Sequence, residues 1–327
     1  MPVEPSAWND LPAGTKRCFA LPIGKRADGS AIELPVIAAR GAKPGKTLLM
    51  TACVHGDEFE GPAAIWQLFD ELDPVQLAGT VIGVPLTNPP AYEAGMRTNP
   101  DDRQDLARVF PGDPRGTVTE QIAYALTHRF IRHADLYIDL HSAGQYYQMP
   151  ALAGYQLRSE PLLSQQRAAA TAFGLPLVWG TPGLPGRTLS VAGELGVPAI
   201  YVEITGEGRC RAADVARYVY GLRQLLALLQ ISNAVPNSHE PEWFVEDDRP
   251  GAGHLQVQNR AAVGGFFQTA VQVWERVQEG QALGAILDRF GQPQQQVIAG
   301  RSGRLVFLRT FSRVLAGDAL CTIIEIE

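Results

Sequence analysis

The amino-acid sequence predicts an α/β protein with a mixed, mainly parallel sheet flanked by helices, followed by a C-terminal all-β module. Strand and helix signals alternate from about residue 45 to residue 232, which is typical of a mainly parallel sheet covered by helices on both faces. A polar, helix-poor stretch follows at residues 233–253, and after it come only short β-like runs separated by glycine-containing turns. The sequence therefore divides into residues 1–232, a linker at 233–253 and a small β domain at 254–327.

The elements of the first part can be justified in chain order. The first 40 residues are expected to form a hairpin or edge strands. Apolar runs predict strands at 47–54, 80–86, 136–140 and 198–204, and helically spaced apolar side chains predict helices at 62–72, 117–131, 162–173 and 212–229. Thr117 and Glu120 have the spacing of a capping box, which favours a helix start there. Ligands of such sheets bind at the carboxyl ends of the strands.

The C-terminal part has the pattern of a barrel-sandwich-like module. Its β-like runs are predicted at 266–273, 282–287, 296–299, 304–308 and 320–326. Lipoyl and biotinyl carriers have a similar pattern, but they need a lysine on a hairpin for modification. The last lysine of this chain is Lys46, which excludes a carrier role.

Composition and charge exclude several function classes. The chain has 327 residues, 46% hydrophobic content and a formal net charge of −6, which argues against partners such as nucleic acid or an anionic membrane. The four cysteines form no Cys-x-x-Cys pair, so neither a zinc knuckle nor a disulfide framework is expected. The acidic start lacks a signal peptide, and no apolar run of about 18 residues occurs. These features predict a soluble cytoplasmic protein.

A metal site is indicated at two strand ends. His55 and Glu58, three positions apart, come directly after the strand predicted at 47–54, and His141 comes directly after the strand at 136–140. Two histidines and one glutamate are the ligands of a catalytic zinc site, in which three protein ligands leave the fourth position open. The sequence therefore predicts one zinc ion per chain, held by these three side chains. The spacing His-x-x-Glu alone often arises by chance. The alternative is that His55 is a capped histidine at the end of a strand.

Arginines follow in two loops rich in proline and glycine. Arg97 and Arg108 suit the binding of a carboxylate or an oxyanion, because a guanidinium group offers a planar fork of donors. The alternative is that they make only surface salt bridges. Residues 180–187 resemble a phosphate loop, but their prolines and spacing favour the rim of an active site, from which Arg187 reaches the substrate.

Together these segments resemble the succinylglutamate desuccinylase/aspartoacylase family, a branch of the zinc-carboxypeptidase-like fold. The matching pieces are Val-His-Gly-Asp-Glu at 54–58, Arg97 followed by Leu-x-Arg-x-Phe-Pro-Gly at 106–112, Asp-Leu-His-Ser at 139–142, and Val-Glu at 202–203. They cover about residues 45–232, and the β module also fits the family.

The resemblance implies hydrolysis of the amide bond of a small N-acyl amino acid or N-acyl amine. It implies that Glu203 is the general base, which returns the proton of the attacking water to the leaving nitrogen. It assigns Arg97 to the scissile carbonyl and Arg108 to a substrate carboxylate. One departure stands out, because this chain has Ala107 where the family usually has an asparagine. A substrate without that carboxylate, or with it placed differently, is therefore expected.

Several alternatives stay open from the sequence. A metallocarboxypeptidase would use the same metal ligands on a peptide, and a non-catalytic metal-binding protein could keep the fold. A site closed by the β module favours small N-acyl substrates, and an open groove favours peptides. Asp139 is either an orienting partner of a metal ligand or a structural hydrogen-bond acceptor, and His254 is expected to be solvated. A homo-oligomer is compatible with the sequence.

Overall fold

The computed structural model of the protein describes Trp8, residues 10–26 and residues 28–326. The helices are α1 Glu60–Glu71, α2 Pro89–Ala94, α3 Val118–Arg129, α4 Leu162–Phe173, α5 Thr188–Glu194 and α6 Ala212–Leu228. The strands of the first part are β1 Thr15–Lys25, β2 Ala31–Arg40, β3 Lys43–Ala52, β4 Ala78–Val84, β5 Leu136–Leu140, β6 Tyr147–Gln148, β7 Leu152–Gln156, β8 Leu177–Thr181, β9 Ala199–Glu203 and β10 Trp243–Glu246. Those of the second part are β11 Gly265–Thr269, β12 Arg276–Val277, β13 Ala282–Leu287, β14 Pro293–Ile298, β15 Gly303–Arg309, β16 Arg313–Val314 and β17 Cys321–Ile324.

A nine-stranded sheet in the order β1-β2-β4-β3-β5-β9-β7-β8-β10 forms the centre of the first part. Neighbours from β4 through β9 run parallel, as do β7, β8 and β10, whereas β1, β2 and β4 pair antiparallel, and so do β9 and β7. The predicted mixed, mainly parallel sheet is confirmed. The N-terminal hairpin, β1 with β2, lies at one edge of the sheet, as expected.

The central strands β4, β5 and β9 are mostly buried, because helices cover both faces of the sheet. One core cluster packs α1, α4 and α6 against one face, and a second cluster packs α3 and α5 against the other. Helix α3 begins at the predicted capping box: the Thr117 hydroxyl accepts from the Glu120 amide at 3.3 Å, and the Glu120 carboxylate accepts from the Thr117 amide at 2.7 Å.

The second part consists of two antiparallel sheets, β14-β13-β11-β16 and β12-β15-β17, with a common apolar core. The short strand β6 of the first part pairs with β15. The stretch 233–253, predicted as a linker, contains β10, which pairs with β8 at the edge of the nine-stranded sheet. This stretch is therefore not a simple linker. Among the described residues, no helix is long and apolar enough to cross a bilayer.

Candidate active site

The side chains of His55, Glu58 and His141 converge beyond the carboxyl ends of β3 and β5. One ligand atom from each lies within 4.8 Å of those from the other two. His55 Nδ1 lies 2.6 Å from Glu58 Oε1, and His141 Nδ1 lies 3.0 Å from Glu58 Oε2. All three side chains are buried. The structure thus brings the three predicted metal ligands together, with the same nitrogen of each imidazole facing the carboxylate.

The turn between β3 and α1 fixes the first two of these residues. Cys53, directly after β3, has a φ of 57°, which turns the chain out of the sheet. Gly56 lies so close to α2 that a Cβ atom would overlap the backbone of Ala91. The side-chain Nδ2 of Asn88 donates to the carbonyl of Val54 at 3.2 Å. The turn that carries His55 and Glu58 is thus packed tightly against α2.

Each histidine has an aspartate on its other ring nitrogen. His55 Nε2 lies 3.2 Å from Asp105 Oδ1, and His141 Nε2 lies 3.1 Å from Asp139 Oδ2. Asp139 is fully buried and accepts hydrogen bonds from two threonine hydroxyls, each at 2.7 Å. Metal-binding histidines typically donate their second N–H to a carboxylate, which fixes the ring orientation. The donor set and these outer partners therefore fit a zinc ion.

The electrostatics of the site favour an ionised Glu58. Burial alone would raise the pKa of its carboxyl, but His55 and His141 hold that pKa well below its usual range. Burial disfavours the charged form of His141, yet Asp139 and Glu58 raise its pKa well above the ordinary value. The cluster thus attracts positive charge, and a divalent cation would replace the protons on the two imidazoles.

Arg97 is held beside the site by Asp105, a residue that the sequence analysis did not identify. Arg97 donates through Nε and Nη2 to Asp105 Oδ2, at 3.3 and 3.2 Å. The other oxygen of Asp105 accepts from the amide of Ala107 at 2.9 Å and contacts His55. One carboxylate thus joins His55, Arg97 and the segment that carries Ala107. Asp105 lies in a polar loop, where an aspartate carries no distinctive sequence signal.

Glu203 ends β9 and lines the same cavity as the three predicted ligands. Its Oε2 atom is buried and has no hydrogen-bond partner among the described residues. Burial and the carboxylate of Glu58 raise the pKa of Glu203 to about 8, although the two histidines and Arg97 act in the opposite direction. A buried carboxyl whose pKa lies near neutrality can take up and release a proton in the working pH range.

Arg108 and Arg187 lie in two loops that touch each other. The amide of Phe110 donates to the carbonyl of Gly186 at 3.1 Å, and a Cβ atom on Gly186 would overlap the backbone of Arg108. Both arginines line the cavity. Arg187 Nε is buried without a hydrogen-bond partner in the described part of the chain, and burial together with Arg108 lowers the pKa of Arg187 to about 10. These guanidinium groups create a positive wall that suits an anionic group.

The C-terminal β domain, residues 254–327, contributes to the wall of the cavity. Phe307 of β15 lines it, together with the consecutive residues His254, Leu255 and Gln256. His254, which was expected to be solvated, is partly buried and lines the cavity. Burial and the nearby Arg187 and Arg108 lower the pKa of His254, so its imidazole is neutral at pH 7.

Comparisons with known proteins agree with this geometry. The sequence profile of the succinylglutamate desuccinylase/aspartoacylase catalytic domain matches residues 44–229. The N-alpha-acetyl-L-2,4-diaminobutyric acid deacetylase of Halomonas elongata is 32% identical over 306 residues, which cover 90% of this chain and 86% of that relative. A succinylglutamate desuccinylase/aspartoacylase structure from Rhodobacter sphaeroides has a TM-score of 0.85 at 27% identity and covers 97% of this chain and 98% of its own.

A product-bound structure of the ectoine utilization protein EutE (DoeB) from Ruegeria pomeroyi is also similar. Its TM-score is 0.83 at 28% identity, and the match covers 96% of this chain and 97% of that one. The matches to both structures extend over the nine-stranded sheet and the β module alike.

Proposed function

Because the chain belongs to the succinylglutamate desuccinylase/aspartoacylase family, we propose that it is a zinc-dependent deacylase of small N-acyl amino acids or related N-acyl amines. The observation that carries the proposal is the convergence of His55, Glu58 and His141 in one cavity with Glu203. Relatives that are named as deacetylase and desuccinylase support the reaction class.

The residues of the site have separate roles in the proposed hydrolysis. His55, Glu58 and His141 would hold one zinc ion, which supplies a Lewis acid to polarise the acyl carbonyl and to acidify water. Glu203 acts as the general base and returns the proton to the leaving amine. Arg97, held by Asp105, faces the carbonyl oxygen as negative charge develops there.

Substrate size follows from the walls of the cavity. We infer that Phe307 and the segment 254–256, which line the cavity, close the site against a peptide chain. This closure favours a small N-acyl amino acid over a peptide. Arg108 and Arg187 form the positive wall and bind the carboxylate of the amino acid.

Among small substrates, N-α-acetyl-L-2,4-diaminobutyrate is our first candidate. It carries one carboxylate and a side-chain ammonium, and it is the compound in the name of the Halomonas elongata relative. Ala107 lines the cavity and lacks the asparagine amide that would add a donor for a carboxylate. A single-carboxylate substrate agrees with this loss better than N-acetyl-aspartate or N-succinyl-glutamate.

The test is a substrate panel measured with zinc-loaded protein and with Ala107→Asn. The panel holds N-α-acetyl-L-2,4-diaminobutyrate, N-acetyl-aspartate, N-succinyl-glutamate and a blocked dipeptide with a free carboxyl terminus. We expect the wild type to prefer the first compound. We expect Ala107→Asn to raise kcat/KM for N-acetyl-aspartate and N-succinyl-glutamate by about tenfold or more, since a hydrogen bond to a charged group contributes about 1.5–3 kcal/mol.

Two outcomes would contradict these assignments. Preferred hydrolysis of the dipeptide would identify a metallocarboxypeptidase, and no hydrolysis of any compound would favour a non-catalytic binding protein. Efficient turnover of N-acetyl-aspartate by the wild type, unchanged in Ala107→Asn, would remove residue 107 from the carboxylate site.

A further inference from the structure

Tyr147 forms part of the cavity wall, although none of the roles proposed above involves it. It lies in β6, opposite Arg309 of the β module in the pairing of β6 with β15. Its ring stacks on Phe307, with centroids 4.2 Å apart and an angle of 25° between the planes. The side chain is therefore held between the catalytic part and the β module, at the edge of the substrate space.

Arg309 fixes the phenol of Tyr147 from the side of the module. The guanidinium group is buried, with 4% of the residue exposed. Its Nε donates to the carbonyl of Phe311 at 2.9 Å, and its Nη2 donates to the carbonyl of Arg313 at 2.7 Å and lies 3.2 Å from Asp318 Oδ2. Its Nη1 donates to the hydroxyl oxygen of Tyr147 at 3.1 Å. The contacts with Phe311, Arg313 and Asp318 thus fix the orientation of the guanidinium group, and with it the direction in which Nη1 points.

This contact determines what the hydroxyl of Tyr147 can still do. The hydroxyl oxygen accepts a hydrogen bond from the Arg309 cation. The hydroxyl hydrogen therefore remains available for donation. Among the described residues, that hydrogen has no acceptor in hydrogen-bond range. An O–H group whose oxygen already accepts a charged hydrogen bond is polarised, which strengthens its own donation. Because Tyr147 lines the cavity, this O–H group is available to donate to an oxygen of a bound molecule.

The backbone around Tyr147 connects this donor to the strand of the candidate base. The carbonyl of Tyr147 accepts from the amide of Glu207 at 3.1 Å, and the amide of Met149 donates to the carbonyl of Thr205 at 3.2 Å. The segment 147–149 thus lies between the β module on one side and the turn that follows Glu203 on the other. Tyr147 and Glu203 line the same cavity, so a molecule bound there lies between walls that include both side chains.

We propose that Tyr147 donates a hydrogen bond to a carbonyl or carboxylate oxygen of the substrate, and that Arg309 is a positioning residue that acts through Tyr147. The proposal rests on the proposed deacylase function and deepens it. It also gives the β module a role in the reaction, because the module supplies the side chain that orients a substrate-binding group.

The test is a double-mutant cycle with Tyr147→Phe, Arg309→Lys and the double variant, and with Tyr146→Phe as the matched control. The Tyr146 ring also lies under the Arg309 guanidinium, 5.4 Å away, but Tyr146 is not part of the cavity wall. We expect Tyr147→Phe and Arg309→Lys each to lower kcat/KM by roughly tenfold, since each weakens or removes the charge-assisted hydrogen bond from Tyr147 to the substrate. We expect Arg309→Lys to have no further effect once Tyr147 is Phe, and Tyr146→Phe to match the wild type.

The cycle distinguishes a positioning role from general support of the fold. If Arg309 only stabilised the module, its effect would multiply with that of Tyr147→Phe, and this result would overturn the positioning role. An unchanged kcat/KM in Tyr147→Phe would overturn the binding role. Thermal denaturation identifies a variant that fails to fold, and Tyr147→Phe alone still tests the donor if Arg309→Lys is unstable.

A failure of the proposed function would look different. In that case the wild type itself would hydrolyse no compound of the panel. Calorimetry with acetate on the zinc-loaded wild type and on Tyr147→Phe then tests the donor without turnover. Acetate binding weakened several-fold in Tyr147→Phe supports the proposal, and equal affinity overturns it.

Discussion

The two histidines of the candidate metal site are oriented in the same way. Each turns Nδ1 towards Glu58 and Nε2 towards an aspartate, Asp105 for His55 and Asp139 for His141. Such carboxylates set the tautomer and raise the basicity of the imidazole. The candidate site is therefore built in two layers, the three predicted ligands and the aspartates behind the histidines, and we expect both layers to contribute to metal affinity.

This arrangement makes Asp139 a testable part of the metal site. We expect Asp139→Asn to weaken zinc affinity by about 10- to 100-fold, because the imidazole of His141 loses its anionic partner. Competition with a chromogenic chelator measures the affinity, and Asp70→Asn, an exposed aspartate on α1, is the control. Unchanged affinity in Asp139→Asn would leave Asp139 as a structural acceptor for the two threonine hydroxyls.

Glu203 offers a second test through its rate and pH dependence. Glu203→Gln keeps the shape of the side chain but cannot accept a proton, so we expect kcat to fall by about 10²–10⁴ while zinc is retained. The pKa of Glu203 is raised to about 8, and a nearby dication would lower it. Since the base must be ionised, kcat/KM of the wild type should rise with pH through a value below 8. A zinc-loaded variant with near-normal kcat would place the base elsewhere.

The sequence identified some of these residues for a clear physical reason. His55, Glu58 and His141 are ligand types directly after apolar strands, and parallel strands bring their carboxyl ends together. Asp105 and His254 carried no such signal. Asp105 becomes a partner of His55 only through the path of a polar loop, and His254 reaches the cavity only when the β module packs against the sheet.

Strand β10 is the element whose role differs most from the sequence-based expectation. It lies at the edge of the nine-stranded sheet, and Glu246 at its end accepts a hydrogen bond from the hydroxyl of Tyr155. Glu246 also accepts two hydrogen bonds from Arg167 of α4, each at 2.7 Å. Tyr155 lines the cavity, so β10 supports a side chain of the cavity wall through Glu246.

The contribution of β10 can be measured by a pair of substitutions. We expect Glu246→Ala to lower the free energy of unfolding by about 1–2 kcal/mol, because a charged group with several hydrogen-bond partners is lost. Glu242→Ala removes an exposed carboxylate from the residue just before β10 and should change it by less than about 0.5 kcal/mol. Urea denaturation measures both. Equal small effects would mean that β10 is only loosely attached.

The sequence could predict those elements whose apolar or helical pattern is long enough to recognise. Strand β5 and helix α4 agree with the predicted bounds, since β5 is a mostly apolar run and α4 has helically spaced apolar side chains. Strand β10 is four residues long in an acidic stretch, and β7 contains Gly154, against which the ring of Tyr201 packs. Short edge strands and close backbone contacts depend on tertiary packing, which a single sequence does not encode locally.

The two parts of the chain form one functional unit around the cavity. β10 joins the catalytic sheet, β6 pairs with the β module, and the guanidinium group of Arg304 lies 4.7 Å from the ring of Trp243 and 5.6 Å from that of Trp274. The division of the chain into a catalytic domain up to residue 232 and a β domain from residue 254 remains a prediction. Assembly into a homo-oligomer also remains a prediction. The fold class itself was predictable because alternation of strands and helices reflects burial of both faces of the sheet.

Zinc titration combined with an activity assay tests the central claim most directly. Protein stripped with a chelator is titrated with zinc, and acetate release from N-α-acetyl-L-2,4-diaminobutyrate is followed at each step, with His141→Ala as the control. We predict that activity rises linearly and reaches its plateau at one zinc per chain, and that His141→Ala gains neither zinc nor activity. Full activity in the stripped protein, or full zinc binding in His141→Ala, would contradict the account.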